Sequence, residues 1–251
     1  MSRLCRTLFL VCLTLSWGQA ISRELKIVFF QYTPPYVFEN GGGIVVDIVR
    51  AALEPAGYQI SPVYLPIGRG SDLFAKKRVD GTTIIREDSR LVTNYSDDLM
   101  QYPNRAFALK TAKLSIKSVA DLKDRSIVAF QDAHKYLGDE FARVVSSDRH
   151  YQEISNQEKQ VLLLLQGQVE VAVMDENIFR FYREKLIAEG KIERSVEVDI
   201  FPLFPPTPFK AAFIDPKVRD DFNRGLATLR RDGRYNATYR KYIEEYFSAK
   251  R

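Results

Sequence analysis

The chain has 251 residues, of which 37 are Lys or Arg and 32 are Asp or Glu. This mild basic excess is spread along the sequence and not gathered into runs, which excludes a nucleic-acid-binding role built on a basic patch. Both cysteines, Cys5 and Cys12, lie near the start, so the rest of the chain can form no disulfide, thiol nucleophile or thiolate metal site.

Residues 1–20 begin with Arg3 and Arg6, continue as an apolar run from Leu8 to Trp17 too short to span a bilayer, and end in Gly18-Gln19-Ala20. This pattern predicts a cleaved signal peptide and a periplasmic mature chain. Val11 before Cys12 argues against lipid attachment. Losing Arg3 and Arg6 leaves an excess of three basic residues over residues 21–251, which are enough for two small domains.

The apolar run Leu25-Lys26-Ile27-Val28-Phe29-Phe30 predicts a strand suited to a parallel sheet. Pro34 and Pro35 end it, placing Tyr32 and Tyr36 at the carboxyl edge, where open α/β sheets bind ligands. Both tyrosines can equally serve as loop packing. Gly41-Gly42-Gly43 lacks the lysine of a phosphate loop and reads as a turn into a helix from about Ile44 to Ala56. A strand over Gln59–Leu65, a helix over Ser71–Arg78 and a strand over Val79–Ile85 follow. This alternation predicts a mostly parallel sheet, with Thr82, Thr83, Arg86 and Arg90 emerging at its ligand-binding edge.

Periodicity is poor from Leu91 to Leu109, and a second domain is predicted to begin near Thr111. Ser118 and Asp121 have capping-box spacing before a strand at Ser126–Phe130. Asp132 is placed to cap a helix running to about Val145, with Gln131 before it and His134 in its first turn. Free amides there would suit an anion. Ser155 and Glu158 form a second capping box. The strand Val169–Met174 ends at Asp175, which can cap the following helix, face a ligand, or do both with its two oxygens. The proline-rich stretch from Phe201 to Pro208 leads back to a strand at Phe209–Ile214 and a helix opened by Asp215-Pro216. The two irregular segments near 105–112 and 201–208 suggest one domain inserted into another. His134 and His150 have no metal-ligand spacing, and neither a metal nor a cofactor is expected.

With these residues in place, the chain resembles the family 3 extracellular solute-binding proteins, the amino-acid receptors of bacterial ABC importers. The resemblance rests on Tyr32-Thr33-Pro34-Pro35-Tyr36, Gly43-Ile44-Val45-Val46-Asp47-Ile48, Val79-Asp80-Gly81, Ser118-Val119-Ala120-Asp121-Leu122-Lys123 and Leu229-Arg230-Arg231-Asp232-Gly233, in that order. It implies a two-lobe α/β periplasmic binding protein fold of type II, each lobe a mostly parallel sheet flanked by helices, with two crossover strands as the hinge. The lobes would comprise residues 21–108 with 205–251, and residues 109–204. The resemblance further implies a monomer that captures a small polar, amino-acid-like ligand and passes it to an inner-membrane permease, without catalysis. A dehydratase of the cyclohexadienyl type, or a ligand-sensing partner of a receptor, is the alternative on the same fold.

By position in the family pattern, Arg90 would take the ligand carboxylate, with Arg86 beside it, and Asp175 the ligand ammonium. Tyr32, Tyr36, Thr82, Thr83, Gln131, Asp132 and His134 complete the candidate ligand-binding set. Gln131-Asp132-Ala133-His134 departs from the family's usual Gln-Gly-Ser/Thr-Thr, and an acid there weakens anion capture.

Overall fold

The computed structural model describes residues 23–30, 32–86, 91–146 and 149–245. The expected signal peptide and Arg90 lie outside the described residues. Two five-stranded sheets organise the chain. In the first, β1 (Arg23–Phe30) lies between β2 (Tyr58–Leu65) and β3 (Gly81–Ile85), parallel to both. Beyond β3 come β10 (Thr207–Phe213) and β4 (Asn94–Tyr102), with β10 antiparallel to each neighbour. In the second, β6 (Ile127–Phe130) lies parallel to and between β7 (Tyr151–Ile154) and β8 (Val171–Asp175). The antiparallel strands β5 (Asn104–Leu109) and β9 (Val198–Phe201) complete it.

The chain passes from the first sheet to the second at Pro103, between β4 and β5, and returns through residues 202–206, between β9 and β10. Both crossings contain proline, which lacks a backbone donor and cannot extend a ladder.

Helices cover the sheets. In the first lobe these are α1 (Ile44–Leu53), α2 (Ile67–Ala75), α7 (Pro216–Arg231) and α8 (Arg234–Arg240). In the second they are α3 (Ala133–Tyr136), α4 (Asp139–Val145), α5 (Gln157–Leu165) and α6 (Glu176–Ala188). Helix α7 starts as its sequence predicts: the Asp215 carboxylate accepts from the Lys217 amide at 2.9 Å, with Pro216 at the first helical position. The Ser118–Asp121 capping box also forms, around a 3₁₀ turn at Val119–Leu122.

Several elements differ from the sequence expectation. The helix expected at Ser71–Arg78 spans Ile67–Ala75 instead. The helix expected from Asp132 to Val145 is broken in two between Tyr136 and Asp139, with Gly138 at φ 94° in the break. Asn156, not Ser155, caps α5, accepting from the Lys159 amide at 2.9 Å. Strands β4, β5, β7 and β9 were not expected, because their sequences are polar or short and they take their shape from neighbours.

One apolar core runs through both lobes. It joins Phe29, Phe213 and Phe222 of the first lobe to Phe107, Phe179 and Leu186 of the second. A full side chain of this size contributes about 1.5–3 kcal/mol on burial. The bridge between the lobes is the loop after β1. Phe38 meets Phe181 of α6 edge-on, with ring centres 5.4 Å apart, and packs against Tyr242 at 5.6 Å. This loop is held tightly to α1. The amides of Ile44 and Val45 donate to the carbonyls of Pro35 and Tyr36, and a side chain on Gly43 would stand 2.3 Å from the Tyr36 oxygen. Gly43 also has φ 127°, so glycine is required there on both counts.

Candidate functional site

A cleft of about 640 Å³ opens between the carboxyl edges of the two sheets. The first lobe contributes Thr82, Thr83 and Arg86 from β3 and its end, with Phe30, Thr33 and Phe209. The second contributes Gln131 ahead of α3 and Tyr136 at its end, Ser155 and Gln157 around the start of α5, and Asp175 and Ile178 at the junction of β8 and α6. Tyr102 and Asn104 flank the Pro103 crossing at its floor, and Phe130 adds a further aromatic wall.

Strand β3 is irregular where it meets the cleft. Ile85 pairs with Lys210 and Thr82 with Ala212, so two residues of β3 bulge against one of β10. Ile84 within that bulge has φ 55°, a left-handed conformation costing about 1–3 kcal/mol for a β-branched side chain. Bulging turns consecutive residues, Thr82 to Arg86, toward one space. The Thr83 hydroxyl spends its proton on the Val28 carbonyl at 3.0 Å, so it faces the cleft as an acceptor. Thr82 is buried, and Arg86 is half-buried.

Asp175 caps the following helix, one of the roles its sequence allowed, and also reaches across to the first lobe. Its Oδ1 accepts from the Ile178 amide at 2.8 Å, capping α6. Its carboxylate also accepts from the Tyr36 hydroxyl, 3.2 and 3.1 Å from the two oxygens, and that hydroxyl in turn accepts from Asn177 Nδ2 at 2.9 Å. Tyr36 belongs to the first lobe and Asp175 and Asn177 to the second, so this cluster ties the lobes together behind the cleft wall. Burial raises the Asp175 pKa to about 7, although hydrogen bonds from Ile178, Tyr36 and Asn177 oppose the rise. Tyr36 itself is fully enclosed and pushed well above its ordinary pKa by burial, then by the Asp175 charge. It packs edge-on against Tyr102 at 4.8 Å.

Among the ten candidates, Thr82, Thr83, Arg86, Gln131 and Asp175 line the cleft. Arg90 lies outside the described residues. Tyr32, Tyr36, Asp132 and His134 stand outside the lining. Tyr32 hydrogen-bonds across the lobes to Tyr182 of α6, whose pKa rises chiefly through burial and further through that neighbour. Asp132 pairs with Lys135 at 2.6 Å and has a left-handed backbone (φ 64°), and its side chain makes no cap for α3. His134 pairs through Nδ1 with Glu153 at 2.7 Å.

The amides of Asp132 and His134 do not await an anion, contrary to expectation. They donate to the two oxygens of Glu153, at 2.8 and 3.1 Å. Glu153 gave no sequence signal, because its partners come together only when β7 pairs with β6. The lining residues Asn104, Tyr136, Ser155 and Gln157 were also missed; Asn104 lies in the stretch from Leu91 to Leu109 where periodicity is poor. Among the described residues, no group of three or more His, Cys, Asp or Glu is placed to hold a metal ion. No helix among the described residues is long and apolar enough to cross a membrane.

This architecture has solved counterparts. The ligand-binding core of GluR0 in complex with L-glutamate matches with a TM-score of 0.69 at 17% identity, over 88% of this chain and 98% of that one. The ancestral amino acid-binding protein AncCDT-1, a precursor of cyclohexadienyl dehydratase, matches with a TM-score of 0.66 at 18% identity, over 88% and 95%. The second substrate-binding domain of Lactococcus lactis GlnP, in an open conformation, matches with a TM-score of 0.63 at 19% identity, over 88% and 95%. No protein-family model and no curated protein sequence matches the chain. At these identities the likeness shows the fold: two lobes, each with a mostly parallel five-stranded sheet flanked by helices, in the periplasmic binding protein arrangement.

Proposed function

We propose that this chain is a periplasmic solute-binding protein that captures a small polar, amino-acid-like ligand between its lobes for an ABC importer in the inner membrane. The observation that carries this reading is the cleft itself. Its size falls within the roughly 300–1,000 Å³ usual for small-molecule sites, and aromatic walls from both lobes surround a few converging polar groups. Arg86 gives the first lobe a cation suited to a carboxylate. The solved counterparts that are described as binding amino acids support this ligand class. Residues 1–20 read as the export leader this role needs.

A thermal-shift screen of amino acids, polyamines and small carboxylates tests the proposal, using protein unfolded and refolded to strip carried ligand. Saturable stabilisation by at least one amino-acid-like compound is expected. A flat response to every compound would remove the reading.

One observation favours a second reading. Asp175 lines the cleft with its pKa raised to about 7 by burial, which is the property a general acid needs near neutrality. A dehydratase of the cyclohexadienyl type would use it to protonate a leaving hydroxyl. Incubation with prephenate or arogenate distinguishes the two: turnover abolished by Asp175→Asn supports the enzyme, and no turnover leaves binding alone.

A further inference from the structure

The loop after β1 grips α6 of the second lobe at three successive places. At the start of the helix, the Tyr36 hydroxyl donates to Asp175 and accepts from Asn177. Farther along, Phe38 meets Phe181 edge-on. Beside Phe181, Tyr182 hydrogen-bonds to Tyr32. From Asp175 to Tyr182 the helix rises about 10 Å. The first contact sits where Asn104 pairs opposite Asp175, next to the Pro103 crossing, so a rotation of the lobes there barely changes it. The contact at Tyr182 lies farthest from that crossing, and of the three it is displaced most.

Both ends of the Tyr32–Tyr182 bond are held in position. Tyr182 is buried, Lys185 Nζ stands 5.9 Å over its ring, and Glu158 of α5 anchors that lysine at 2.6 Å. Tyr32 is exposed, yet its backbone has φ 20°, a value that persists only where surrounding contacts impose it. Its neighbour Thr33 lines the cleft and is bridged to Val37, whereas neither Tyr32 nor Tyr182 belongs to the lining.

We propose that the Tyr32–Tyr182 bond is a latch that fixes the angle between the lobes and so sets affinity without touching the solute. At the angle it holds, walls from both lobes surround a space of about 640 Å³, suited to a small solute. Once it parts, the lobes spread, and apparent affinity falls with the fraction of molecules still at the binding angle. This inference rests on the solute-binding reading above and adds to it the pair that regulates the same cleft from outside.

The test compares wild type with Tyr32→Phe, Tyr182→Phe and the double variant, each of which removes the bond and keeps both rings. Spin labels at Lys76→Cys, which follows α2, and at Lys135→Cys in α3 report the distance between the lobes, on a chain carrying Cys5→Ser and Cys12→Ser. Without any solute, all three variants are expected to show a longer mean distance than wild type. Unchanged distances would overturn the proposal. L-glutamate, L-glutamine and L-arginine are then titrated by calorimetry. Affinity for those that bind is expected to fall about two- to tenfold, by the same factor for each and no further in the double variant. Losses that add in the double variant would contradict the latch, as would a loss confined to one of several solutes that bind. If none of the three binds wild type, the solute-binding reading loses its support, while the distance measurement still decides whether the pair holds the lobes.

Discussion

Asp175 is the residue on which position and chemistry meet most closely. Its place at the end of β8, just before a helix, was legible from sequence, and the capping bond to Ile178 follows from local rules. Its bond to Tyr36 was not, since the two are 139 residues apart and meet only when the lobes pack. Burial raises its pKa from 3.8 to about 7, so the folded state holds a proton that the unfolded chain has released. Stability from this group is fully present below pH 3.8, declines as pH rises toward 7, and is absent above. The loss is on the order of 4 kcal/mol. Asp175→Asn keeps a capping oxygen and an acceptor for Tyr36 but removes the charge. Its melting temperature is expected to exceed that of wild type at pH 8 and to fall less between pH 5 and pH 8. A variant equally destabilised at both pH values would contradict this account.

At the scale of elements, legibility followed burial. Helices α1, α6 and α7 present apolar stripes and strands β1 and β8 apolar runs, so their patterns announce them. Strand β4, Asn-Tyr-Ser-Asp-Asp-Leu-Met-Gln-Tyr, carries polar residues at a sheet edge and becomes a strand through its bonds to β10. The break between α3 and α4 comes at Gly138, whose φ is 94°, and the expectation of a cap at Asp132 and the apolar residues beyond it concealed it. The packing of α1 on α7 was equally hidden. Gly225 sits where the helices approach most closely, and a β-carbon there would stand 2.0 Å from the Ala52 carbonyl oxygen. Gly225→Ala must separate the helices and is expected to cost about 1–3 kcal/mol or more. Urea unfolding would register the change as a lower midpoint with an unchanged slope. An unshifted midpoint would show that the two helices are not in register as described.

At the scale of the molecule, the largest apolar cluster spans both lobes, beside a smaller one in each lobe. Phe38, Phe181 and Tyr242 close an apolar seam that makes Phe29 on one side and Phe107 on the other parts of a single cluster. The ligand-free chain is therefore expected to unfold in one calorimetric transition, with calorimetric and van't Hoff enthalpies equal. Two resolved transitions would show the lobes to be energetically separate. The Pro103 crossing carries a different consequence. Strand β5 leaves that crossing and pairs directly with β8, so that Asn104 stands opposite Asp175. Gln131 follows β6, on the far side of β8 from β5. Any rotation of one lobe on the other thus pivots close to Asp175 and sweeps Gln131 through the longer arc. On the solute-binding reading proposed above, a solute would meet first an axle whose place is fixed by the β5–β8 pairing, then a rim that draws near only as the lobes turn.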